Sequence, residues 1–435
     1  MKRIILALAA VLLTVMPMYA DTLTLQQALD GAAANNTDLA AAQITLESEL
    51  RNNSLTSSLI PDISLTGGVG WSGFSLIDQS AGSVTGNYYL GIDWDVGSGI
   101  FTQNTVNSLS NDIAVLEYTL QAESVEEAVV SAYWTIALYR AQLESAESGL
   151  ESARESLANI QEQYDAGYTD ELTLSSAQYD VLSYQYQVLG YENALETAYN
   201  SFETLTGIDA RDLELEEIPE LPELELPDAD SLFSLASGNS TSLQQLRKQV
   251  ELADASTAST RASYQLPSVT VSASYGIGIQ ASMSSFNDLW QDSGSVSIGV
   301  SIPISNWIPG SSGDVAVKNS IDQERQAALS LQEGTQALYA SIREDLADYR
   351  QSTSSLEVAL QALELAQKTY DMTSERYEAG YVTYDSLSDA RADLTVSQLN
   401  LQQSRISQLL SLYSLSFDTG LGIDEIISSY STQEQ

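Results

Sequence analysis

The stretch Arg376-Tyr377-Glu378-Ala379-Gly380-Tyr381 decides the fold because it occurs twice: Gln163-Tyr164-Asp165-Ala166-Gly167-Tyr168 stands 213 residues earlier (377 less 164). Each copy ends a long run of heptad-spaced apolar residues, and each is followed by another such run. Leu143, Leu150, Leu157 and Tyr164 lead to the first; Leu356, Leu363, Tyr370 and Tyr377 lead to the second, at the same displacement. A glycine just past the last periodic residue stops a helix, since it takes the left-handed conformation without a Cβ penalty. The stretch is therefore the tip of a helical hairpin, and the chain carries two of them.

Working outward, the first 20 residues read as a secretory signal: Lys2 and Arg3, an apolar run from Ile4 to Val15, and Met18-Tyr19-Ala20 before Asp21. No later stretch approaches the roughly 20 apolar residues of a spanning helix. The chain has no cysteine, which excludes disulfides and lipidation at cysteine. Without Lys2 and Arg3 the net charge moves from −42 to −44, a poor field for nucleic acid. With no histidine either, Ser-His-Asp, Cys-His and histidine-metal constellations are excluded. A carboxylate-only enzyme such as a glycosidase remains possible, but the inventory of candidate catalytic residues is bare, and no cofactor is implied.

Two structural repeats follow from the periodicity. The first, 21–211, opens with helical spacing over 23–58, closed by Pro61. The period then changes to two. Ile63, Leu65, Val69 and Trp71, and after a polar loop over 73–86, Tyr88, Leu90, Ile92, Trp94 and Val96, alternate with small or polar residues, giving a β-hairpin over 61–98. A helix over 102–163, the tip 164–168 and a helix to about Thr206 complete the repeat. Residues 212–230, with three prolines among acidic residues, read as an extended, solvated linker. The second repeat, 231–424, has a helix over 230–263, a hairpin over 267–304 carrying Val269, Val271, Tyr275, Ile277, Val296, Ile298 and Val300, a long helix over 313–376, the tip 377–381 and a last helix. Its seven extra residues fall between Ser305 and Gly313. Residues 425–435 form a C-terminal tail.

Four strands of about 12 residues are long for a soluble sheet and suit a tilted bilayer span, with Trp71, Tyr88, Tyr275 and Trp94 as an interfacial belt. The competing reading is a soluble β-sandwich. Four strands cannot close a barrel and open edges cannot sit in lipid, so the barrel must be shared between copies. Pattern alone does not choose between two copies and three.

Four features carry a family resemblance: the tandem helix, hairpin, helix, tip, helix order; Leu59-Ile60-Pro61 and Gln265-Leu266-Pro267 before the first strand of each half; Asp95-Val96-Gly97-Ser98-Gly99 after the first hairpin; and Tyr377-Glu378-Ala379-Gly380 followed by Leu387-Ser388-Asp389-Ala390. On these the chain resembles the TolC-like outer-membrane efflux proteins over nearly all of its mature length. The resemblance implies an α+β membrane protein: a homotrimer with a shared twelve-stranded β-barrel in outer-membrane lipid and a coiled-coil α-barrel in the periplasm. It also implies docking to a periplasmic adaptor and an inner-membrane pump, to export small molecules or proteins. The alternatives are a passive porin and a structural or adhesive surface coiled coil.

The resemblance further implies an adaptor-docking tip at Tyr164, Gly167, Tyr168, Tyr377, Gly380 and Tyr381. The bland alternative is that these residues only cap and pack helices. Asp385 and Asp389 lie four apart on one helix face, where a trimer would gather six carboxylates into a cation-selective gate. Asp389 falls on the family's gate aspartate, and Asp385 stands in only by proximity. The bland alternative there is a solvated acidic face. The family's basic residue after the tip is Val382 here, so any lock is built differently, with Asp170 and Glu171 as acceptors for Arg376 or Arg391.

Overall fold

The computed structural model describes residues 22–54, 61–72, 83–97, 99–282 and 291–431. Residues 1–21 with the segment read as a signal, residues 55–60 with Leu59 and Ile60, residues 73–82 and 283–290, Ser98 and the last four residues lie outside these. In chain order the elements are β1 (Thr22–Leu23), α1 (Leu25–Asn35), α2 (Thr37–Asn52), β2 (Asp62–Ser72), β3 (Ser83–Gly97), α3 (Gly99–Asp165), α4 (Glu171–Thr206), β4 (Glu214–Leu215), α5 (Ala229–Asn239), α6 (Thr241–Gln265), β5 (Ser268–Ser282), β6 (Gln291–Ser301), a short 3₁₀ turn (Ile304–Trp307), α7 (Ser312–Glu378), α8 (Tyr384–Thr419) and α9 (Ile423–Tyr430).

The two long helices α3 and α7 have 67 residues each, roughly 100 Å at 1.5 Å per residue, and α4 and α8 have 36 each. α4 folds back along α3, and α8 along α7. α2 packs on the sheet-proximal part of α3, and α6 packs there between α3 and α7. Each entering helix thus continues the line of the helix that returns from a tip. No helix among the described residues is long and apolar enough to cross a membrane.

Strands β2, β3, β5 and β6 form one antiparallel sheet in the order β2-β3-β5-β6. Its register aligns Ile63 with Ile92, Leu65 with Leu90, Leu90 with Tyr275, Trp94 with Val271 and Val271 with Ile298. Every apolar residue of the alternation therefore falls on one face. That face is bare: Leu65, Val69, Val296 and Ile298 are each more than 70 % exposed. The opposite face carries Ser64, Thr66, Ser272, Ser274, Ser295 and Ser297. On that face the ring of Tyr89 lies over Gly276, where a Cβ would collide with it. The sandwich reading fails here, since among the described residues none covers the apolar face.

Several expectations need correction. The strand β3 starts at Ser83, inside the stretch read as loop, because Thr85 and Gly86 still pair with Gly70 and Val69. Tyr88 and Tyr275 consequently sit mid-strand, not at strand ends. The side chain of Trp71 lies outside the described residues. The first helical run is broken at Asn36 and the run after the linker at Ser240; both residues cap the helix that follows. Asn36 accepts from the N–H groups of Asp38 and Leu39, and its amide, with that of Asn35, donates to the last carbonyls of α4, Leu205 and Thr206. Two asparagines thus close one helix start and one helix end.

The linker is not simply solvated. β4 pairs with β1 in parallel, and the Tyr133 hydroxyl donates to the Leu23 carbonyl (2.6 Å) while accepting from the Glu216 N–H (2.9 Å). Arg140 donates to the carbonyls of Ala210 and Leu213 and to the Tyr199 hydroxyl. Leu213, Leu215, Ile218 and Leu221 pack on the main core, formed by Tyr133, Trp134, Ile136, Phe202 and Leu409 among others. The prolines prevent regular structure, yet the leucines spaced among the acids still gain by burial. The tail likewise holds α9, whose Ile426 is buried against Tyr349 and Leu412.

Candidate functional site

Both tips close in the same way. Tyr168 N–H donates to Gln163 O (2.8 Å) and Gly167 N–H to Tyr164 O (2.9 Å), with Gly167 at φ +75°. Tyr381 and Gly380 repeat this to Arg376 and Tyr377, with Gly380 at φ +77°. This paired six-to-one and five-to-two arrangement satisfies the orphan carbonyls at a helix end. The restarting helices are capped by Asp170, which accepts from Thr173 N–H and its hydroxyl, and by Thr383, which accepts from Ser386 N–H. Those two donations hold the Asp170 carboxyl below its ordinary range.

The tip residues separate into two groups. Tyr168 and Tyr381 are more than 80 % exposed and project from the turns. Tyr377 packs inward instead, its ring 6.2 Å from that of Tyr384, beside Ile160, Leu174 and Ala177. That cluster joins the two hairpins within one chain.

The junction has a polar centre. Asp180 on α4 accepts from the Tyr384 hydroxyl (3.0 Å) and from the Ser388 hydroxyl, both on α8. Burial, and then the Asp180 charge beside it, push the Tyr384 phenol well up from its ordinary value, so it stays a donor. One turn of α8 further on, Arg391 donates to Ser156 of α3 (3.0 Å). Asp180, Tyr384, Ser388 and Arg391 therefore hold the hairpins together with charge-assisted bonds. The sequence reading missed this latch. Its available signal was Asp180 itself, a carboxylate three residues after Ala177 and beside Val181 on the inner edge of a heptad seam.

Asp385 and Asp389 are both exposed and line a hollow of about 380 Å³ with Leu172, Ser175, Tyr179, Asp180 and Ser388. Within one chain the pairing of Asp170 or Glu171 with Arg376 or Arg391 is absent: Asp170 serves as a cap and Arg391 reaches Ser156. Among the described residues, no group of three or more acidic side chains is disposed to hold a metal.

Away from the tips, a second carboxylate pair bridges α7 and α8. Asp345 accepts from Ser414 (3.0 Å) and Asp418 from Ser341. Asp345 is buried and faces Asp418, so burial first and the neighbouring carboxyl second push it far above the ordinary range. The raised value keeps a proton on Asp345 below about pH 7, and among the described residues its Oδ2 has no hydrogen-bond partner.

Comparison with known proteins agrees with this architecture. The family model described as outer membrane efflux protein matches residues 28–208 and 232–420, one match on each repeat. Among solved structures, the chain is similar to the Campylobacter jejuni CmeC outer membrane channel, with a TM-score of 0.76 at 16 % identity over 94 % of this chain and 87 % of that one. It is similar also to the outer membrane protein VceC of Vibrio cholerae (0.73, 18 %, covering 92 % and 96 %) and to the open-state MtrE outer membrane channel of Neisseria gonorrhoeae (0.73, 15 %, covering 92 % and 89 %). A comparison with curated protein sequences finds no significant match. The bare apolar sheet, the duplicated hairpins and a family match spanning both repeats lead to one conclusion: the chain belongs to the outer membrane efflux protein family.

Proposed function

We propose that the chain is the exit duct of a tripartite efflux or type I-like secretion system, trimeric, with its sheet in the outer membrane and its hairpins in the periplasm. The observation that carries this reading is the four-stranded sheet with an exposed apolar face and two unpaired edges, β2 and β6, from which helices of roughly 100 Å descend. A lipid-facing sheet with open edges needs further copies to close it. A passive porin has no use for helices of this length. Family membership supports an efflux channel in place of a catalyst.

In this reading Tyr168 and Tyr381 are the surfaces an adaptor meets, with Gly167 and Gly380 shaping the turns and Tyr164 and Tyr377 backing them. Three copies would bring three Asp385 and Asp389 pairs to the periplasmic entrance, a ring that attracts cations. The latch from Asp180 to Tyr384 and Ser388 holds the second hairpin against the first, and its release would let the second hairpin swing. An inner-membrane pump would select the cargo.

Single-channel conductance of the purified mature protein in planar bilayers tests this. The wild type is expected to pass a small, cation-selective current. Tyr384→Phe/Ser388→Ala should raise the conductance, and Asp385→Ala/Asp389→Ala should reduce cation selectivity. A wide pore in the wild type, unchanged by either pair, would favour the porin. A folded oligomer with no conductance, in the wild type and in the latch variant alike, would favour the surface coiled coil.

A further inference from the structure

The seven extra residues of the second repeat form a built element between β6 and α7. After Ile302 the chain makes an inverse γ-turn at Pro303 (φ −83°, ψ 66°), with Ile304 N–H donating to Ile302 O, and enters the 3₁₀ turn. The polar side of that turn is fully used. Asn306 Nδ2 donates to Tyr264 O and Trp307 Nε1 to Gln265 O, each at 3.0 Å, so the insert caps the last carbonyls of α6. Ser311 Oγ donates to Asn306 O, and Gly310 N–H donates to the Asp314 carboxylate. Gly313 completes the fit, since a Cβ there would stand 2.5 Å from Asn306 Cβ. The backbone is held at both ends and in the middle.

The other side of the insert is apolar and uncovered. Ile302, Ile304, Trp307 and Ile308 are 53 to 63 % exposed although their backbone is fixed. Ile302 continues the alternation of Val296, Ile298 and Val300, so the patch is continuous with the apolar face of the sheet. It lies at the end of the sheet from which the helices leave. From Ser293 to Gly313 the sequence holds no charged residue, in a chain with 59 acidic ones. Trp307, with its N–H bonded to protein and its ring outside, has the amphipathic form enriched at membrane–water boundaries.

We infer that the insert 302–313 is an interfacial foot, which seats Trp307 and Ile308 in the headgroup and upper acyl region of the periplasmic leaflet of the outer membrane. The occupant is lipid, by continuity with the lipid-facing sheet. The first repeat has no counterpart, since β3 ends at Gly97 and α3 begins at Gly99. The foot thus anchors one repeat of each protomer, in a chain with no cysteine to carry a lipid. It rests on the reading of the sheet as membrane-embedded, and the test separates the two.

The cysteine-free background allows three single-site variants, Ile298→Cys in β6, Ile308→Cys in the foot and Lys318→Cys in α7, each labelled with an environment-sensitive fluorophore and reconstituted in phosphatidylcholine vesicles. Spin-labelled lipids with the nitroxide near the headgroup or deep in the acyl chain serve as membrane quenchers, and iodide as the aqueous one. The foot predicts that the label at 308 is quenched most by the shallow nitroxide and several-fold less by iodide than the label at 318. Lipid quenching at 298 but iodide quenching at 308 would overturn the foot and keep the membrane-embedded sheet. Shielding at 308 from both quenchers would assign the patch to a neighbouring copy, and deep-only quenching would place it below the interface; either overturns the proposal. Loss of lipid quenching at 298 as well would remove the membrane reading itself.

Discussion

The two hairpins share a backbone and differ in what lies between their helices. α3 and α7 have equal length, as do α4 and α8, and each pair is displaced by 213 residues (312 less 99, and 384 less 171). In the first hairpin the seam where the end of α4 meets the middle of α3 is aromatic: Tyr133 meets Trp134 edge-on at 5.0 Å and Phe202 at 6.3 Å. The matched positions in the second are Leu346, Ala347 and Leu415, and around them the seam turns polar. Ser352 bonds Ser411 (2.9 Å), Ser355 bonds Ser404 (3.3 Å) and Gln408 donates to Thr353 (3.0 Å). Asp345 and Asp418 stand where the first repeat has Ala132 and Leu205. Helical periodicity and the tip glycines set the hairpin, and the seam chemistry is free to diverge once they are in place. One repeat has become an apolar strut against the linker. The other is held by hydrogen bonds between small polar side chains, with a buried carboxyl among them.

The largest effect should fall on the strut. Phe202 is fully buried in the main core, so Phe202→Ala should cost about 3–5 kcal/mol. Ser411→Ala in the second seam removes two neutral hydrogen bonds of one hydroxyl, with Ser352 and with the Gln408 carbonyl, and should cost about 1–2 kcal/mol. Denaturant unfolding of the detergent-solubilised protein, followed by near-ultraviolet circular dichroism, measures both. Equal losses would break the comparison.

The carboxylate pair sharpens it. The Asp345 carboxyl is raised from an ordinary value of 3.8 to about 7, so the folded state holds a proton there that the unfolded chain releases earlier. The stability from this group is fully present below about 3.8 and is lost as pH rises through about 7. Wild-type stability should therefore fall between those limits, by on the order of 1–3 kcal/mol. Asp345→Ala/Asp418→Leu, which installs the first repeat's residues, should flatten the profile and leave the protein more stable than wild type at pH 8. Thermal unfolding midpoints across pH 4 to 8 would show it. A fall that survives the double substitution would place the titration elsewhere.

How far the fold could be read follows from the same physics. The heptads ending at Tyr164 and Tyr377 and the two-residue alternation of Val296, Ile298 and Val300 are local patterns, and each marked its element. The breaks at Asn36 and Ser240 went unread because a cap in mid-run does not disturb apolar spacing. The packing of Leu213 to Leu221 was missed because acidic and proline content masks a sparse apolar row. At the junction, the tip tyrosines were legible as a repeated motif. The latch was not, because Asp180 and Tyr384 are 204 residues apart (384 less 180) and meet only when the hairpins dock.

The smallest predicted effect is an equality. Gly167 and Gly380 hold nearly the same left-handed φ, and a Cβ at either would meet no atom within 4 Å. Gly167→Ala and Gly380→Ala should therefore each cost only the left-handed conformation, about 1–2 kcal/mol. The loss should be local, because the bonds of the tip turns involve only residues 162–168 and 375–381. Hydrogen exchange at the Tyr168 and Tyr381 amides reads it directly, since each donates the bond that closes its turn, and protection should fall by a similar factor at both. The turns are alike in geometry, but only the second has a wall behind it, where Tyr377 packs on Tyr384 above the Asp180 latch. If Gly380→Ala exposes the Tyr381 amide while Gly167→Ala leaves Tyr168 protected, the latch is coupled to the second turn, and the asymmetry between the hairpins reaches their tips.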